Sequence, residues 1–596
     1  MQGRVSRSWR RTFIAAVAAL LVSGTIAGPT SAAPTNPRAV ANLSAEITLM
    51  STADVHCHVL NWDYFKNAPS SGLGLARIST LVNEVRAERG RDSTLLFDIG
   101  DTIQGTPLCT YYNVNDPITN GGPDPVAEAM NAIGYDAMTV GNHEFNFGLP
   151  ILDAFEQQLD FPMLGANVLT AGTDQPALQP YVIETIKLPG KQPIRVGVLG
   201  LTTPGSAVWD RGHVEGTLDF ADGVATAKKY VPQMIAQGAD IIVAAVHTGM
   251  DGATSYGDEI PYPENFGETL AQEVPGIDVV FPAHSHQVIA QEYVTNEQTG
   301  EQVLVTQPGS YGAYLSVATL DLQMVTGKWQ ITSDSAKLLA AKTAVDDPAI
   351  VALVQAQHDT VVNWVNQPIG ETLSDLSLAQ ADYKDVPAMD LINSVQAEAV
   401  REGLAGTQYA NLPVLSTTAP LSRVVIPAGP VSIKDISALY IYENTLRGVL
   451  LTGSQIKDYL ERAAQYFKPV TGTGPFTPSQ VTGASHMATY CYDVVYGVSY
   501  DIDLSQAVGS RVTDLTFASQ PIDPNGQFVL AINNYRNDGG CGYPNVSTAP
   551  KVYNVNPDIQ SLIVSWFEAN EVIDPSTFGS VDWQLTYQGT PITINP

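Results

Sequence analysis

Short apolar runs alternate with longer amphipathic stretches from about residue 45 to residue 342 of this chain. Short apolar runs bounded by turn residues are typical of buried strands, whereas a 3.6-residue periodicity is typical of helices. The alternation therefore predicts a layered α/β domain whose sheets are covered by helices. The predicted strands are residues 47–53, 94–99, 137–140, 194–201, 241–246 and 279–282, and the clearest helices are 75–89 and 223–237.

A separate amphipathic helix begins at Asp347 and Pro348, because Asp is a favoured N-cap and Pro is tolerated in the first helical turn. The chain has 596 residues, too many for a single core. We therefore interpret residues 346–368 as a linker helix between a catalytic domain, 34–345, and a second domain, 369–596. The second domain is expected to be α+β, with strands at residues 494–501 and 528–533 and a helix at 454–467.

The first 33 residues have the pattern of an export signal. Four Arg precede an apolar stretch at residues 13–26, and Ser31-Ala32-Ala33 provides a small-residue cleavage site. Residues 10–14 also resemble a twin-arginine signal. A membrane anchor is the alternative, and the short apolar run that ends in a cleavage site disfavours it. We expect a secreted or cell-envelope protein.

The chain is strongly acidic, with a formal charge of −30 that becomes −34 when the four Arg of the leader are removed. Such a surface repels nucleic-acid polymers and anionic membranes in general. No later apolar run reaches the roughly 20 residues that span a bilayer, so stable membrane insertion is not expected. A small anionic substrate is compatible with this charge only where metal ions or local Arg reverse the field.

Four cysteines, Cys57, Cys109, Cys491 and Cys541, occur in this chain. Export permits disulfides, and four cysteines allow three pairings. We favour Cys57–Cys109 and Cys491–Cys541, which places one bond in each half of the chain. A metal-binding role is the alternative for Cys57, since it lies between two histidines.

Polar side chains that can bind metal follow five of the predicted strands. Ligands bind at the carboxyl ends of strands in open α/β sheets, so these side chains are expected to converge. Carboxylates and imidazoles bind Zn, Mn, Co, Fe or Mg without distinguishing among them, and two such ions about 3.5–4 Å apart need a shared carboxylate. Asp101 is the bridging candidate because it stands alone after its strand. The candidates are Asp54, His56, Asp101, the adjacent Asn142 and His143, His247, His284 and His286.

Together these residues resemble the motif set of the calcineurin-like metallophosphatases, and the whole chain resembles the exported 5′-nucleotidase superfamily. The resemblance covers about residues 45–570 and implies a four-layer αββα sandwich followed by a substrate-recognition domain. It implies one ion bound by Asp54, His56, Asp101 and His286. It implies a second ion bound by Asp101, Asn142, His247 and His284. His143 would then protonate or stabilise the leaving oxygen.

One position after the catalytic His favours a particular branch of that superfamily. Asn146 stands where the 5′-nucleotide branch usually has Asp, and an Asn cannot stabilise an imidazolium by charge. Asn there resembles the 2′,3′-cyclic-nucleotide 2′-phosphodiesterase/3′-nucleotidases, as do residues 61–66, 208–210, 412–416, 439–446 and 533–536. The resemblance therefore implies an enzyme that hydrolyses 2′,3′-cyclic nucleotides and 3′-nucleotides. The alternatives are a 5′-nucleotidase or nucleotide-sugar hydrolase, and a secreted nucleotide-binding protein without turnover.

The same resemblance implies a nucleotide site in the second domain. Tyr442 and Tyr535 would clamp the base between their rings, and Asn444 would touch the base or ribose. Stacking of this kind accepts several bases, since every base has a π-face. Without the resemblance, two Tyr that pack within their own domain would be the simpler interpretation. Structural or surface roles are predicted for the remaining histidines, His58, His213, His358 and His486.

Overall fold

The computed structural model describes residues 44–251, 254, 260–442, 444–553, 558–579 and 581–595. The predicted export signal at residues 1–33 therefore lies outside the described residues, as does the start of the predicted catalytic domain. Among the residues that are described, none of the helices combines the length and apolar character needed to cross a membrane.

Two six-stranded mixed sheets form the first half of the described chain. The first has the order β12-β11-β1-β2-β3-β4, in which β1 through β4 are parallel neighbours. The second has the order β9-β10-β8-β7-β6-β5, with β6, β7, β8 and β10 parallel. The strands are β1 Ser44–Thr52, β2 Thr94–Asp98, β3 Ala137–Thr139, β4 Met163–Leu164, β5 Tyr181–Ile186, β6 Ile194–Thr202, β7 Ile241–His247, β8 Val279–Pro282, β9 Val288–Thr295, β10 Gln302–Pro308, β11 Tyr314–Val325 and β12 Lys328–Ala340.

The two sheets pack face to face and each is covered by helices on its outer side, which confirms the expected αββα sandwich. The rings of Phe97 and Phe281 meet between the sheets with centroids 6.3 Å apart. The Thr139 hydroxyl donates across the same gap to the carbonyl of Ala245 at 3.0 Å. One apolar core lies between the first sheet and the helices that cover it, and another lies between the second sheet and its helices. The helices are α1 Leu75–Arg89, α2 Pro125–Ile133, α3 Leu149–Glu156, α4 Gly223–Ala236 and α5 Gly267–Glu273.

The predicted linker helix is present as α6, Pro348–Val365. Asp347 caps it by accepting a hydrogen bond from the Ala349 N–H at 2.9 Å. Its buried side chains, including Ile350 and Val361, belong to the core of the first sheet. Trp364 near its end packs against that core and also against the core of the following segment. The helix is thus attached to the first half and contacts the second.

The second half has its own core and an α+β arrangement. Its central sheet has the order β15-β13-β16-β14-β17 and carries helices α7 and α9. A second five-stranded sheet is built around Ser499–Asp503 and Trp583–Tyr587. The central strands are β13 Val414–Thr418, β14 Leu446–Thr452, β15 Val494–Tyr496, β16 Gln527–Asn533 and β17 Lys551–Tyr553; the helices are α7 Pro387–Gly403, α8 Ile433–Leu439, α9 Gly453–Ala463 and α10 Ile559–Asn570.

Two predictions for this half need correction. The expected single strand at residues 494–501 is wrong, because Val494–Tyr496 and Ser499–Asp503 belong to different sheets. Gly497, with φ of 91°, turns the chain between them. The helix expected at 454–467 ends at Ala463 and continues only as a short 3₁₀ turn, Ala464–Tyr466. The domain boundaries at 345 and 368 stay a prediction.

Both favoured disulfides are present. Cys57 pairs with Cys109 and Cys491 with Cys541, with Cα–Cα distances of 6.0 and 5.6 Å. The first bond joins the loop after β1 to the short helix Pro107–Thr110. Because its sulfur is bonded to Cys109, Cys57 is not a metal ligand here.

Candidate metal centre

The loops that follow β1, β2 and β8 carry the predicted ligands in an unusual backbone conformation. Five of these residues have positive φ, a region that residues other than glycine seldom occupy. Each such residue costs about 1–3 kcal/mol, and such strain clusters where a function requires it. The five are Asp54 at 49°, His56 at 45°, Asp101 at 57°, His284 at 66° and His286 at 54°.

Asp54, His56 and His286 form a first cluster whose potential ligand atoms lie within 4.8 Å of one another. His56 Nδ1 donates to the Gln104 carbonyl at 2.9 Å, so its Nε2 lone pair faces the cluster. That Nε2 lies 3.1 Å from Nε2 of His286. Asp54 Oδ1 accepts from the His284 N–H, while its buried Oδ2 has no hydrogen-bond partner in the described part of the chain. An unpaired buried carboxylate oxygen beside two imidazole nitrogens fits a cation site.

Asp101, His247 and His284 form a second cluster within the same distance limit. His247 ends β7 and donates from Nδ1 to the Ile99 carbonyl at 2.6 Å, which leaves Nε2 facing the cluster. The Asn142 amide oxygen lies 3.2 Å from that Nε2. The donor set is again oxygen and nitrogen only, which suits Zn, Mn, Fe or Co.

Asp101 lies between the two clusters. Its Oδ2 is 3.1 Å from Nε2 of His247 and 4.0 Å from Nε2 of His56. Its Oδ1 accepts a hydrogen bond from the His143 N–H at 2.8 Å, which fixes the orientation of the carboxylate. One carboxylate oxygen thus faces imidazoles of both clusters, as a bridging ligand requires.

The buried charges of this site are poorly balanced, and a bound cation would relieve the imbalance. Burial, opposed in part by His247, raises the pKa of Asp54 well above its usual range. Burial also lowers the pKa of His56 and brings that of His286 to about 4, so both are neutral and able to ligate. Burial would lower the pKa of His247 too, but the Asp101 carboxylate outweighs it and raises that pKa to about 10. Asp54 and His247 thus tend to hold protons, and divalent ions bound here would take the place of those protons. The residues therefore fit divalent ions.

Glu144 holds the ligand loops together, a role that the sequence reasoning did not assign. Its fully buried carboxylate accepts hydrogen bonds from four backbone N–H groups at 2.6–3.2 Å: those of Asp101, Thr102, Ile103 and Gly141. The close approach requires glycine at position 141, since a Cβ there would lie 2.3 Å from Oδ1 of Asp101. The Gly-Asn-His-Glu string contained this signal, because a buried Glu beside a ligand needs several donors.

His143 is the first of three side chains joined by hydrogen bonds. Its Nδ1 lies 2.6 Å from Oδ1 of Asn146. Nδ2 of Asn146 donates in turn to Oδ1 of Asp210 at 2.8 Å. The His143 ring lies beside that of His56, with centroids 5.2 Å apart, and therefore borders the first cluster. The sequence analysis assigns no role to Asp210, although residues 208–210 are among the segments that carry the resemblance.

The second cluster is supported from outside by Glu264 and Trp209. Nε2 of His284 lies 2.9 Å from Oε1 of Glu264, and the His284 ring stacks on Trp209 at 5.4 Å. Trp209 in turn packs with Val208 against Tyr535 of the second half. Neither Glu264 nor Trp209 follows a predicted strand directly, so position in the sequence gave no indication of their contact with His284.

The three predicted substrate-binding residues make different contacts. Tyr535 packs against the pair Val208 and Trp209, the second of which stacks on His284. Burial, together with neighbours that include Tyr490 and Tyr442, raises the pKa of the Tyr535 hydroxyl. Tyr442 is partly exposed. Asn444 donates from Nδ2 to the Tyr440 hydroxyl at 3.2 Å, within its own domain. The roles of all three toward a substrate remain predictions.

The four remaining histidines belong to neither cluster of described residues. His58 is the nearest, and its Nδ1 contacts the Val55 carbonyl at 3.0 Å while its ring packs on Tyr311. His358 on α6 lies 2.9 Å from the Tyr64 hydroxyl. His213 packs near Gly148, and His486 lies in a surface turn. The structural or surface roles of these four histidines stay a prediction.

The sandwich, its two ligand clusters and the attached α+β half define the class of two-domain metallophosphoesterases. Residues 364–548 match the family described as 5′-nucleotidase, C-terminal domain. A solved structure named as a 5′-nucleotidase from Staphylococcus aureus aligns with 91% of this chain and 100% of its own at a TM-score of 0.73 and 24% identity. That likeness establishes the fold.

Similar sequences identify the family within this class of metallophosphoesterases. The 2′,3′-cyclic-nucleotide 2′-phosphodiesterase/3′-nucleotidase of Haemophilus influenzae is 32% identical over 596 residues, covering 92% of this chain and 88% of the relative. The trifunctional nucleotide phosphoesterase protein YfkN of Bacillus subtilis is 31% identical over 92% of this chain, which spans only 39% of that protein's length. The chain belongs to the 5′-nucleotidase family, in the group that includes the 2′,3′-cyclic-nucleotide 2′-phosphodiesterase/3′-nucleotidases.

Proposed function

We propose that this protein is a divalent-metal-dependent phosphoesterase that hydrolyses 2′,3′-cyclic nucleotides and 3′-nucleotides to nucleoside and phosphate. The observation that carries the proposal is the pair of ligand clusters with Asp101 between them, each within 4.8 Å. The name and 32% identity of the Haemophilus influenzae relative supply the substrate class. A nucleotide of this kind is a small molecule, and no nucleic-acid polymer is proposed as a partner.

Two divalent ions are proposed to occupy the clusters. Asp54, His56 and His286 would hold one, His247, His284 and Asn142 would hold the other, and Asp101 would bind both. When bound, such ions neutralise phosphate charge and lower the pKa of a coordinated water towards about 7. Four positive charges against the carboxylates of Asp54 and Asp101 would make the site locally attractive to an anion, although the chain as a whole carries −30.

His143 is proposed as the proton donor to the leaving oxygen. With Nδ1 engaged by Asn146 at 2.6 Å, Nε2 is the ring atom that is left to face a substrate. Water provides the new P–O bond and gives a proton to solvent, while the departing 2′ or 3′ oxygen takes a proton from Nε2. His143 is thereby left as a neutral imidazole that keeps its proton on Nδ1.

Tyr442 and Tyr535 are proposed to stack the base, with Asn444 at the base or ribose. Tyr535 packs against the pair Val208 and Trp209, and Trp209 stacks on His284. This packing supports the proposal because it brings the second half next to the second cluster. Each stacked ring is worth about 1–3 kcal/mol. We also propose export of the protein, on the sequence pattern of residues 1–33 alone.

The test is hydrolysis of 2′,3′-cyclic AMP, 3′-AMP and 5′-AMP by purified protein supplied with Mn²⁺ or Co²⁺. The first two should be cleaved with kcat/KM at least tenfold above that for 5′-AMP. A preference for 5′-AMP would instead identify a 5′-nucleotidase or nucleotide-sugar hydrolase. Absence of turnover with every substrate and ion would identify a binding protein.

Asp101→Asn serves as the matched variant for this assay. Replacing one carboxylate oxygen by an amide removes the charge that two ions would share, so activity should fall by at least about 10³-fold. Elemental analysis of the same preparation should show fewer bound ions per chain. Near-normal turnover by this variant would contradict the bridging role of Asp101 while leaving the substrate assignment intact.

A further inference from the structure

Asn146 stands between an imidazole and a carboxylate, and this position raises the question of which way its amide points. Its two sides contact Nδ1 of His143 at 2.6 Å and Oδ1 of Asp210 at 2.8 Å. The oxygen and nitrogen of an amide side chain are assigned from the hydrogen-bond network around them. The partner on the far side of Asn146 therefore decides which atom faces His143.

As a carboxylate, Asp210 can only accept hydrogen bonds. The amide NH₂ of Asn146 must then face Asp210, and its oxygen must face His143. An oxygen in that place can only accept, so Nδ1 of His143 carries the proton. Asp210 thus fixes the ring of His143 in the form that exposes Nε2 to the substrate side, without contacting His143 itself.

Asp210 is held firmly enough to do this. The side chain is buried, and the residue lies between two short helices, Ser206–Trp209 and Arg211–Val214. Its backbone carbonyl accepts from the N–H groups of His213 and Val214 at 2.8 and 3.1 Å. The preceding residue, Trp209, stacks on the predicted ligand His284. The position of Asp210 is therefore tied to the metal centre by its own chain.

The charge of Asp210 is also unfavourable to bury, which argues against a purely structural role. Burial, partly offset by the bond from Asn146, raises its pKa to about 7, so Asp210 is the acceptor-only carboxylate at pH values above 7. Its Oδ2 is buried without a hydrogen-bond partner among the residues that the structure describes. A carboxylate kept in such a place with one amide as its partner is more typical of a functional site than of a core.

We propose that Asp210 is a positioning residue that acts through Asn146 to keep a proton on Nδ1 of His143. The doubly protonated ring then delivers its Nε2 proton to the leaving oxygen and ends as the neutral form protonated on Nδ1. The inference rests on the proposed function, in which His143 is that donor. In this chain the pair Asn146 and Asp210 would replace a single carboxylate beside the histidine, with the negative charge moved one residue further from the ring.

The test compares a substrate that needs a proton on its leaving group with one that does not. The ribose alkoxide of 3′-AMP is a poor leaving group, whereas the nitrophenolate of p-nitrophenyl phosphate leaves without protonation. In Asp210→Asn the amide of Asn146 can flip and exchange its oxygen and nitrogen, since the amide introduced at position 210 can donate as well as accept. The ratio of kcat/KM for 3′-AMP to kcat/KM for p-nitrophenyl phosphate should fall by ten- to a hundredfold.

Two further variants separate positioning from damage to the fold. Glu215→Gln removes one negative charge from an exposed residue close to Asp210 in the chain, and the ratio should not change. Asn146→Asp with Asp210→Asn exchanges the amide and the carboxylate and restores an acceptor next to His143. This double variant should recover the ratio to within about threefold, whereas Asn146→Asp alone places two carboxylates 2.8 Å apart and should not.

The outcomes distinguish this inference from the proposed function. If His143→Ala lowers the ratio but Asp210→Asn does not, the relay through Asn146 is overturned and His143 remains the donor. If His143→Ala lowers kcat/KM equally for the two substrates, the assignment of His143 as donor fails and the relay fails with it. An equal loss for both substrates in Asp210→Asn, without recovery in the exchanged variant, would show a structural role and also overturn the inference.

Discussion

This protein contains several buried carboxylates, and the groups that compensate their negative charge differ from one to the next. Glu144 has four backbone N–H donors, so its charge is well solvated by the chain. Asp54 and Asp101 face imidazoles and, in our proposal, metal ions. Asp390, at the start of α7, has a buried Oδ2 without a partner in the described part of the chain. Its charge is therefore the least compensated of the four.

Asp390 gives a prediction for the pH dependence of stability. Burial, together with Asp385 and Asp582, raises its pKa to about 9, whereas an unfolded Asp titrates near 3.8. Between these values the folded state binds more protons, so stability falls as pH rises, by at most about 1.4 kcal/mol per pH unit. Asp390→Asn is neutral throughout. The difference between the Tm of Asp390→Asn and the Tm of the original protein should therefore grow in favour of the variant as the pH rises from 5.5 to 8.

The control for this measurement is Asp458→Asn, which neutralises an exposed Asp of the same half. Its Tm difference from the original protein should be nearly independent of pH over the same interval. Equal pH dependence of Tm in Asp390→Asn and in the original protein would show that Asp390 is already ionised in the folded state.

At the scale of elements, α6 illustrates how one residue joins two helices. The Asp347 carboxylate caps α6 at Ala349 N–H and also accepts from the hydroxyl of Ser79 on α1 at 2.7 Å. The side chains of Ile350 and Val361 then bury against the first core. The cap and the apolar stripe act together, since the cap sets the first turn from which the stripe follows.

Asp347→Ala should therefore lower stability by about 1–2 kcal/mol, because the cap and the bond from Ser79 are both lost. The matched control is Asp359→Ala on the exposed face of the same helix, which should change stability by less than about 0.5 kcal/mol. Denaturant unfolding of both variants provides the comparison. A loss in Asp359→Ala as large as that in Asp347→Ala would mean that helix charge, and not capping, accounts for the effect.

Element boundaries in the first half follow closely from the sequence. The predicted helix 75–89 and the predicted strand 279–282 coincide with α1 and β8, and the linker helix begins at the predicted Pro348. These segments have strong periodicity or clear punctuation by Pro and Gly. The strand predicted at 494–501 failed because its apolar composition is continuous across Gly497, while its two parts pair with different partners.

At the scale of the molecule, the site depends on both sheets. Asp54, Asp101 and Asn142 follow strands of the first sheet, whereas His247, His284 and His286 follow or end strands of the second. The clusters therefore exist only when the sheets are packed face to face. Binding of ions at this junction should stabilise the sandwich as a whole, because a ligand that binds only the folded state shifts its unfolding.

Metal removal gives the corresponding prediction. Dialysis against a chelator should abolish phosphoesterase activity and lower Tm by several degrees, and Mn²⁺ or Zn²⁺ should restore both. The effect on Tm should be smaller in Asp101→Asn, since one shared ligand is missing. Activity and Tm that are unchanged after elemental analysis has shown the ions to be gone would contradict a metal centre in this protein.

The sequence by itself determined which segments become strands and helices, and it marked the polar residues at strand ends. It did so because both signals are local: apolar periodicity sets the element, and the residue after a buried strand lies at the edge of a sheet. The resemblance of those residues to a known motif set added the expected role of each.

Only the tertiary structure decided how the residues between those signals contribute. Glu144, Asp210, Glu264 and Trp209 reach the centre through contacts with residues distant in the chain, such as Glu264 with His284. No local pattern specifies such contacts, because they depend on which loops the packing of the two sheets brings together. For the same reason the partner of Asn146, on which the proposed relay depends, became visible only in the folded chain.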